Sequence, residues 1–176
     1  MLMTLRSGAC LLALVFAGCG TSPLPPSPEE MAATVQQDVE SLLTSLYDGD
    51  FAAVISYTHP VIVKSLGGYQ EARAAIEDSL SPALMAGMQV ESLTFPHPPE
   101  FVETERTTFA VVPTLMVLQL DGQQVESLNF QFGVLDADSM HWKYVEGSRL
   151  NSENVRVLFP SFPNDYDFPE VYRRKL

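Results

Sequence analysis

Between Met31 and Leu46 the apolar residues Met31, Val35, Val39, Leu42, Leu43 and Leu46 recur every three or four positions, with Gln36, Gln37, Glu40 and Ser41 between them. That period puts one apolar stripe on a helix and its polar residues opposite. The start is marked by Ser27, Pro28 and Glu30. The serine can cap, the proline suits the first turn, and the glutamate completes an S-x-x-E capping box. Asp48-Gly49 ends the helix. Asp50 then caps a short helix over residues 51–57, which His59-Pro60 breaks before the turn at Gly67-Gly68. A third helix is expected over about 69–88, with Ala72, Ala75, Ile76, Leu80 and Leu84 on its apolar side. Pro82 should kink or split it.

From Gln89 the period falls to two. Val90, Leu93 and Phe95 form a strand that stops at Pro96. Residues 101–120 read as one long extended stretch, with Phe109, Val111, Leu115 and Val117 on one face and Ala110, Val112, Met116 and Leu118 on the other. A strand apolar on both faces is covered on both sides. Pro113 inside it suggests a bulge or bend, and Asp121-Gly122 is a strong hairpin turn. Leu128, Phe130, Phe132 and Val134 then alternate with Ser127, Asn129 and Gln131, of which Asn129 and Gln131 read as a solvent-facing or dimer-facing surface and not as ligands. A second turn at 136–139, a strand over 141–145 and a short helix capped by Asn151 complete the pattern. Helices first and a meander of about four antiparallel strands afterwards is an α+β order, with a curved sheet wrapped on the N-terminal helices.

The first eighteen residues do not belong to that domain. Arg6 is the only charged side chain before Glu29, residues 8–17 are apolar, and Ala17-Gly18 follows. A positive start, a short apolar run and a small-residue exit make a secretory signal peptide. The run is too short for a spanning helix, which needs about 20 residues. Ala17-Gly18 directly before Cys19 resembles the lipobox of bacterial lipoproteins, with Phe16 where leucine is usual. That resemblance implies cleavage before Cys19 and its lipidation. Gly20 and Thr21 after it, by the same resemblance, favour the outer membrane, facing the periplasm. Each buried acyl CH₂ contributes about 0.8 kcal/mol, so two or three chains give a stable anchor.

The chain has only two cysteines, Cys10 and Cys19. With the first removed and the second alkylated, no disulfide and no cysteine nucleophile remains. The organisation is therefore a signal peptide at 1–18, a stiff Pro/Ser-rich linker at 19–29, a domain at 30–159 and an extended tail at 160–176. The 176 residues carry 10 Lys and Arg against 22 Asp and Glu, a net charge of −12. Phosphate repels such a body, so nucleic acid is not an expected partner. The membrane is contacted through lipid and not through a basic patch. Arg173-Arg174-Lys175 at the end reads as a solvated tail.

Several short motifs fall in a suggestive order: Tyr47-Asp48-Gly49-Asp50-Phe51 after the first helix, Leu66-Gly67-Gly68-Tyr69 before the third, and Asp136 and Asp138 at a turn before Trp142-Lys143-Tyr144-Val145-Glu146-Gly147. This order resembles the NTF2-like (cystatin-like) superfamily over residues 30–159. The resemblance implies an α+β cone with a pocket between sheet and helices, and often a homodimer. Members of such a fold bind ligands, catalyse isomerisation or dehydration, or serve as platforms, so fold alone does not choose.

Three histidines, His59, His97 and His141, show no metal-ligand spacing, and no phosphate loop, dinucleotide fingerprint or nucleophile elbow is present. No metal and no cofactor is expected. Tyr57 and His59 are the candidates for acid–base chemistry, and Tyr57, His59, Tyr69 and Trp142 the candidates for pocket walls. Asp136 and Asp138 read as turn chemistry. The Phe-Pro pairs at 159–160, 162–163 and 168–169 read as a strap across the domain or a contact with a partner. Three functions stand open: a lipid-anchored envelope module that binds a small apolar ligand or a protein partner, a pocket enzyme using His59 and Tyr57, or an interaction protein whose pocket is filled.

Overall fold

A computed structural model describes residues 26–176, so the signal peptide, Cys19 and most of the linker lie outside the described residues. The fold is α+β, with five α-helices and one open antiparallel sheet of six strands. No helix among the described residues is long and apolar enough to cross a membrane.

The first helix, α1 (Pro28–Tyr47), has its full capping box: Glu30 N–H donates to Ser27 Oγ at 3.2 Å, and Ser27 N–H to Glu30 Oε2 at 2.7 Å. The Ser27 backbone and then its side chain hold the Glu30 carboxyl below its ordinary pKa. Asp50 caps α2 (Phe51–Tyr57) through the Ala53 N–H. His59-Pro60 does end α2, but it also starts a helix that periodicity does not reveal, α3 (Pro60–Ser65). The His59 Nδ1 accepts from the Val61 N–H at 3.2 Å, the work that Ser or Asp usually does at a cap. α4 (Tyr69–Met85) continues through Pro82 as one element and ends three residues later, so the proline does not split it.

Six strands, not four, make the sheet. The stretch expected as one strand over 101–120 is a hairpin of β2 (Glu100–Glu103) and β3 (Thr107–Leu120). Thr104 closes its turn, its hydroxyl both donating to the Thr107 carbonyl and accepting from the Thr107 N–H. A side chain standing in for a backbone partner makes a turn without glycine or proline. β3 and β4 (Gln123–Asp136) pair from Thr107 with Asp136 to Leu120 with Gln123, joined by Asp121-Gly122, both at positive φ.

Each long strand has two short strands in succession along its outer edge. β2 covers residues 108–111 of β3, and β1 (Gln89–Thr94) covers 115–119. β5 (Lys143–Glu146) covers 131–134 of β4, and β6 (Tyr172–Lys175) covers 125–128. Pro113 sits in the seam on β3, opposite Phe130 in the seam on β4. No bulge forms at Pro113, because a residue without an N–H is tolerated where no outer neighbour pairs. The Phe130 N–H donates instead to the Asn129 Oδ1 at 2.8 Å. The register irregularity lies on β1, between Val90 and Ser92.

Two cores lie on opposite faces. The inner face carries Ala110, Val112, Met116 and Leu118 of β3 against Val35, Val39, Leu42 and Leu43 of α1. The outer face carries Phe109, Val111, Phe130, Phe132 and Val134. After β5 the chain makes a short 3-10 turn (Gly147–Arg149) and α5 (Val155–Leu158), then lays Phe159, Phe162, Tyr166 and Phe168 on that outer face. The Phe162 ring stands edge-on to Phe109 and Phe132, each at 5.1 Å. β6 then brings Arg174 to Glu126 at 2.6 Å, so the basic end of the chain is partly paired. Gly147 admits no side chain, since a Cβ there would overlap the Phe130 ring and carbonyl.

Candidate functional site

A cavity of about 760 Å³ lies between the helices and the sheet at its β5 side. Its helical walls are Leu42, Leu43 and Leu46 of α1, Val54 of α2, Ile62 of α3 and Ile76 of α4. Its sheet walls are Gln131 of β4 and Tyr144, Val145 and Glu146 of β5. Ser148, Arg149, Leu150, Val157 and Leu158 close the third side. The volume and the apolar lining with a few polar groups fit a small-molecule site. Val157 is 80 % exposed and Leu66 42 %, so apolar surface continues from the cavity to its rim.

The helical walls are held against the sheet edge by the α2–α3 junction. Thr58 bridges to Tyr144 in parallel, and the His59 N–H donates to the Tyr144 carbonyl at 2.8 Å. The Tyr144 hydroxyl donates to Asp38 Oδ2 on α1 at 3.1 Å. Burial first, and the Asp38 charge next, drive the Tyr144 pKa strongly upward. The phenol therefore stays protonated and committed to Asp38. The Glu146 carboxylate is also engaged: it accepts from Asn129 Nδ2 at 2.6 Å and from the Ser148 hydroxyl at 2.7 Å.

The sequence candidates lie elsewhere. Tyr57 packs on the fringe of the inner core, its ring 6.5 Å from Tyr144. His59 caps α3 and sits edge-on to Phe159 of the outer core at 5.1 Å. Burial lowers its pKa, partly opposed by the Asp136 charge, and Lys143 lowers it further. Tyr57 and His59 thus pack against different cores, and neither lines the cavity. Tyr69 is exposed at the start of α4. Trp142 is buried in the inner core, 6.1 Å from Phe101 and against Gly133. Asp136 and Asp138 are spent in the turn, on Thr107 Oγ1 at 3.1 Å and on Arg106 at 3.2 Å.

Gln131 corrects the reading that placed it, with Asn129, on a solvent-facing or dimer-facing surface. It is 4 % exposed and faces the cavity. Ser127 is buried on the same face, as is Thr114 of β3, whose Oγ1 has no hydrogen-bond partner. These are all the buried polar side chains among the described residues, and all three belong to the inner face. Strict alternation placed Gln131 opposite Phe130 and Phe132; only the helical cover makes its side buried. No protein-family model, curated protein or solved structure matches this chain.

Proposed function

We propose that this protein is a lipid-anchored module of the bacterial envelope, held to the outer membrane through Cys19, that binds a small apolar ligand between its helices and its sheet. We further read the α+β arrangement as an NTF2-like cone, on the order of its helices, hairpins and tryptophan strand. The observation that carries the binding reading is the cavity of about 760 Å³, walled mainly by leucine, isoleucine and valine. An opening of that size and lining is costly to leave to water and favourable to fill with an apolar molecule. The motif at 16–19 supports the anchor. A catalytic reading has less support, since the cavity's ionisable walls are engaged tyrosine and glutamate side chains and a rim arginine.

The test is native mass spectrometry of the full-length protein released from lipid nanodiscs. The wild type should carry one bound small molecule beyond its covalent acyl chains. Leu46→Trp, which pushes an indole into the cavity, should lose it and still melt cooperatively. Equal retention by both proteins, or no bound molecule in either, would count against the reading. Radioactive palmitate tests the anchor separately: a Cys19→Ser chain that still takes up label would remove it.

A further inference from the structure

We infer that the ligand is an amphiphile with a neutral hydrogen-bonding end, a carboxamide or an alcohol, and that this end docks on the Gln131 amide. The inference rests on the reading of the cavity as a ligand site. Gln131 lines the cavity, is 4 % exposed, and makes no side-chain hydrogen bond to another described residue. Its amide offers two donors and an acceptor. Leaving these unmet beside leucine and isoleucine is unfavourable, whereas a bound polar group would satisfy them.

A buried hydroxyl lies near it on the same face, outside the cavity lining. Thr114 is fully buried and its hydroxyl has no partner. In register Thr114 faces Asn129 and Val112 faces Gln131, so Thr114 and Gln131 are diagonal neighbours on the inner face. Of the buried polar side chains on this face, Gln131 alone lines the cavity, and it marks where the ligand's polar end belongs. The rest of the molecule would lie along Leu42, Leu46 and Ile76 toward Leu66 and Val157 at the rim.

The surrounding charges choose a neutral end. Gln131 is paired across the strands with Glu146, whose carboxylate would repel an anionic end. Arg149 lines the same cavity and opposes a cationic one. Arg149 has no ion-pair partner among the described residues, and Glu146 is already held by Asn129 and Ser148, so neither charge is neutralised by the other. A carboxamide or hydroxyl can both accept from and donate to the glutamine without meeting either charge unfavourably.

The test is photolabelling of the full-length protein in lipid nanodiscs with five dodecyl diazirine probes, ending in carboxamide, alcohol, carboxylate, ammonium or methyl. Labelled peptides are mapped by mass spectrometry. The carboxamide and alcohol probes should label cavity-wall peptides at concentrations about five- to tenfold lower than the methyl probe, as one or two neutral hydrogen bonds provide. Gln131→Leu should erase that preference and leave the methyl probe's labelling intact. Gln131→Met, closer to glutamine in shape, should erase it as well and serves if the leucine variant does not fold. Equal labelling by all five probes, or a preference for a charged end, would overturn the head-group inference while leaving the cavity reading in place. Labelling of no cavity peptide by any probe would remove the cavity reading itself, and this inference with it.

Discussion

On the outer face of the sheet, Phe109, Phe130 and Phe132 meet Phe159, Phe162, Tyr166 and Phe168, and every buried side chain of that core is apolar. On the inner face, Thr114, Ser127 and Gln131 are buried, and a cavity of about 760 Å³ opens against Gln131. The outer face is packed by residues that follow the last strand of the meander, with Phe159 and Phe162 at the two ends of a turn closed by the Phe162 N–H on the Phe159 carbonyl. The inner face is covered by helices that leave a cavity at Gln131, and the Thr114 hydroxyl on that face has no partner. One side of the sheet is thus closed by aromatic packing, and the other keeps buried polar groups and an opening. The division has a cost: the inner face keeps buried polarity that a purely structural core would replace.

Three substitutions sharpen that contrast. The largest effect is expected from Phe162→Ala, which removes a ring in edge-on contact with Phe109 and Phe132. Thermal or denaturant unfolding should show a loss of about 3–5 kcal/mol. A loss under about 1 kcal/mol would mean that the tail is not part of the core. Next is Thr114→Val, which swaps an unpartnered buried hydroxyl for a methyl of similar shape. The ligand-free protein should become more stable by about 1 kcal/mol. If it becomes less stable, the hydroxyl has a structural partner such as a water, and the inner face is less frustrated than described.

The smallest effect belongs to His59, which touches both sides: it joins the sheet edge at Tyr144 and packs on Phe159. Its folded pKa is lowered, chiefly by burial. Unfolding therefore takes up a proton below the ordinary histidine value of about 6.5. The histidine's contribution is complete above that pH. It declines as pH falls from about 6.5 to the depressed folded value, and changes no further below it. Protonation at Nδ1 would also cost the cap on Val61. His59→Asn keeps a capping acceptor without the titration. Its stability measured against pH should lack the wild-type decline in that window and leave ligand binding unchanged. Loss of ligand binding would instead return His59 to the site.

Local signals were readable in the sequence, while tertiary cover was not. The Ser27–Glu30 box, the Asp50 cap and the Asp121-Gly122 turn each depend on residues within four positions of one another, and each forms where the pattern places it. The β2–β3 hairpin escaped because its turn is made by Thr104, a residue equally at home in a strand. α3 escaped because its cap is a histidine, and six residues are too few to show a period. For the site, alternation separates Gln131 from Phe132 correctly, but does not say which face the helices will cover. The aromatic candidates Tyr57, His59 and Trp142 were chosen for their chemistry. Packing uses them as wall, cap and core, and lines the cavity mainly with aliphatic residues and a few polar ones, Gln131, Tyr144, Glu146 and Arg149 among them.

The division between the two faces is tested most directly by amide hydrogen exchange on the full-length protein in nanodiscs, with and without saturating dodecan-1-ol. Added protection is expected in peptides from α2 to α4, in β5 and in residues 147–158, which wall the cavity. The outer-face strap from Phe159 to Phe168 should exchange at the same rate in both states. Protection spread evenly over both faces, or concentrated in that strap, would contradict the account.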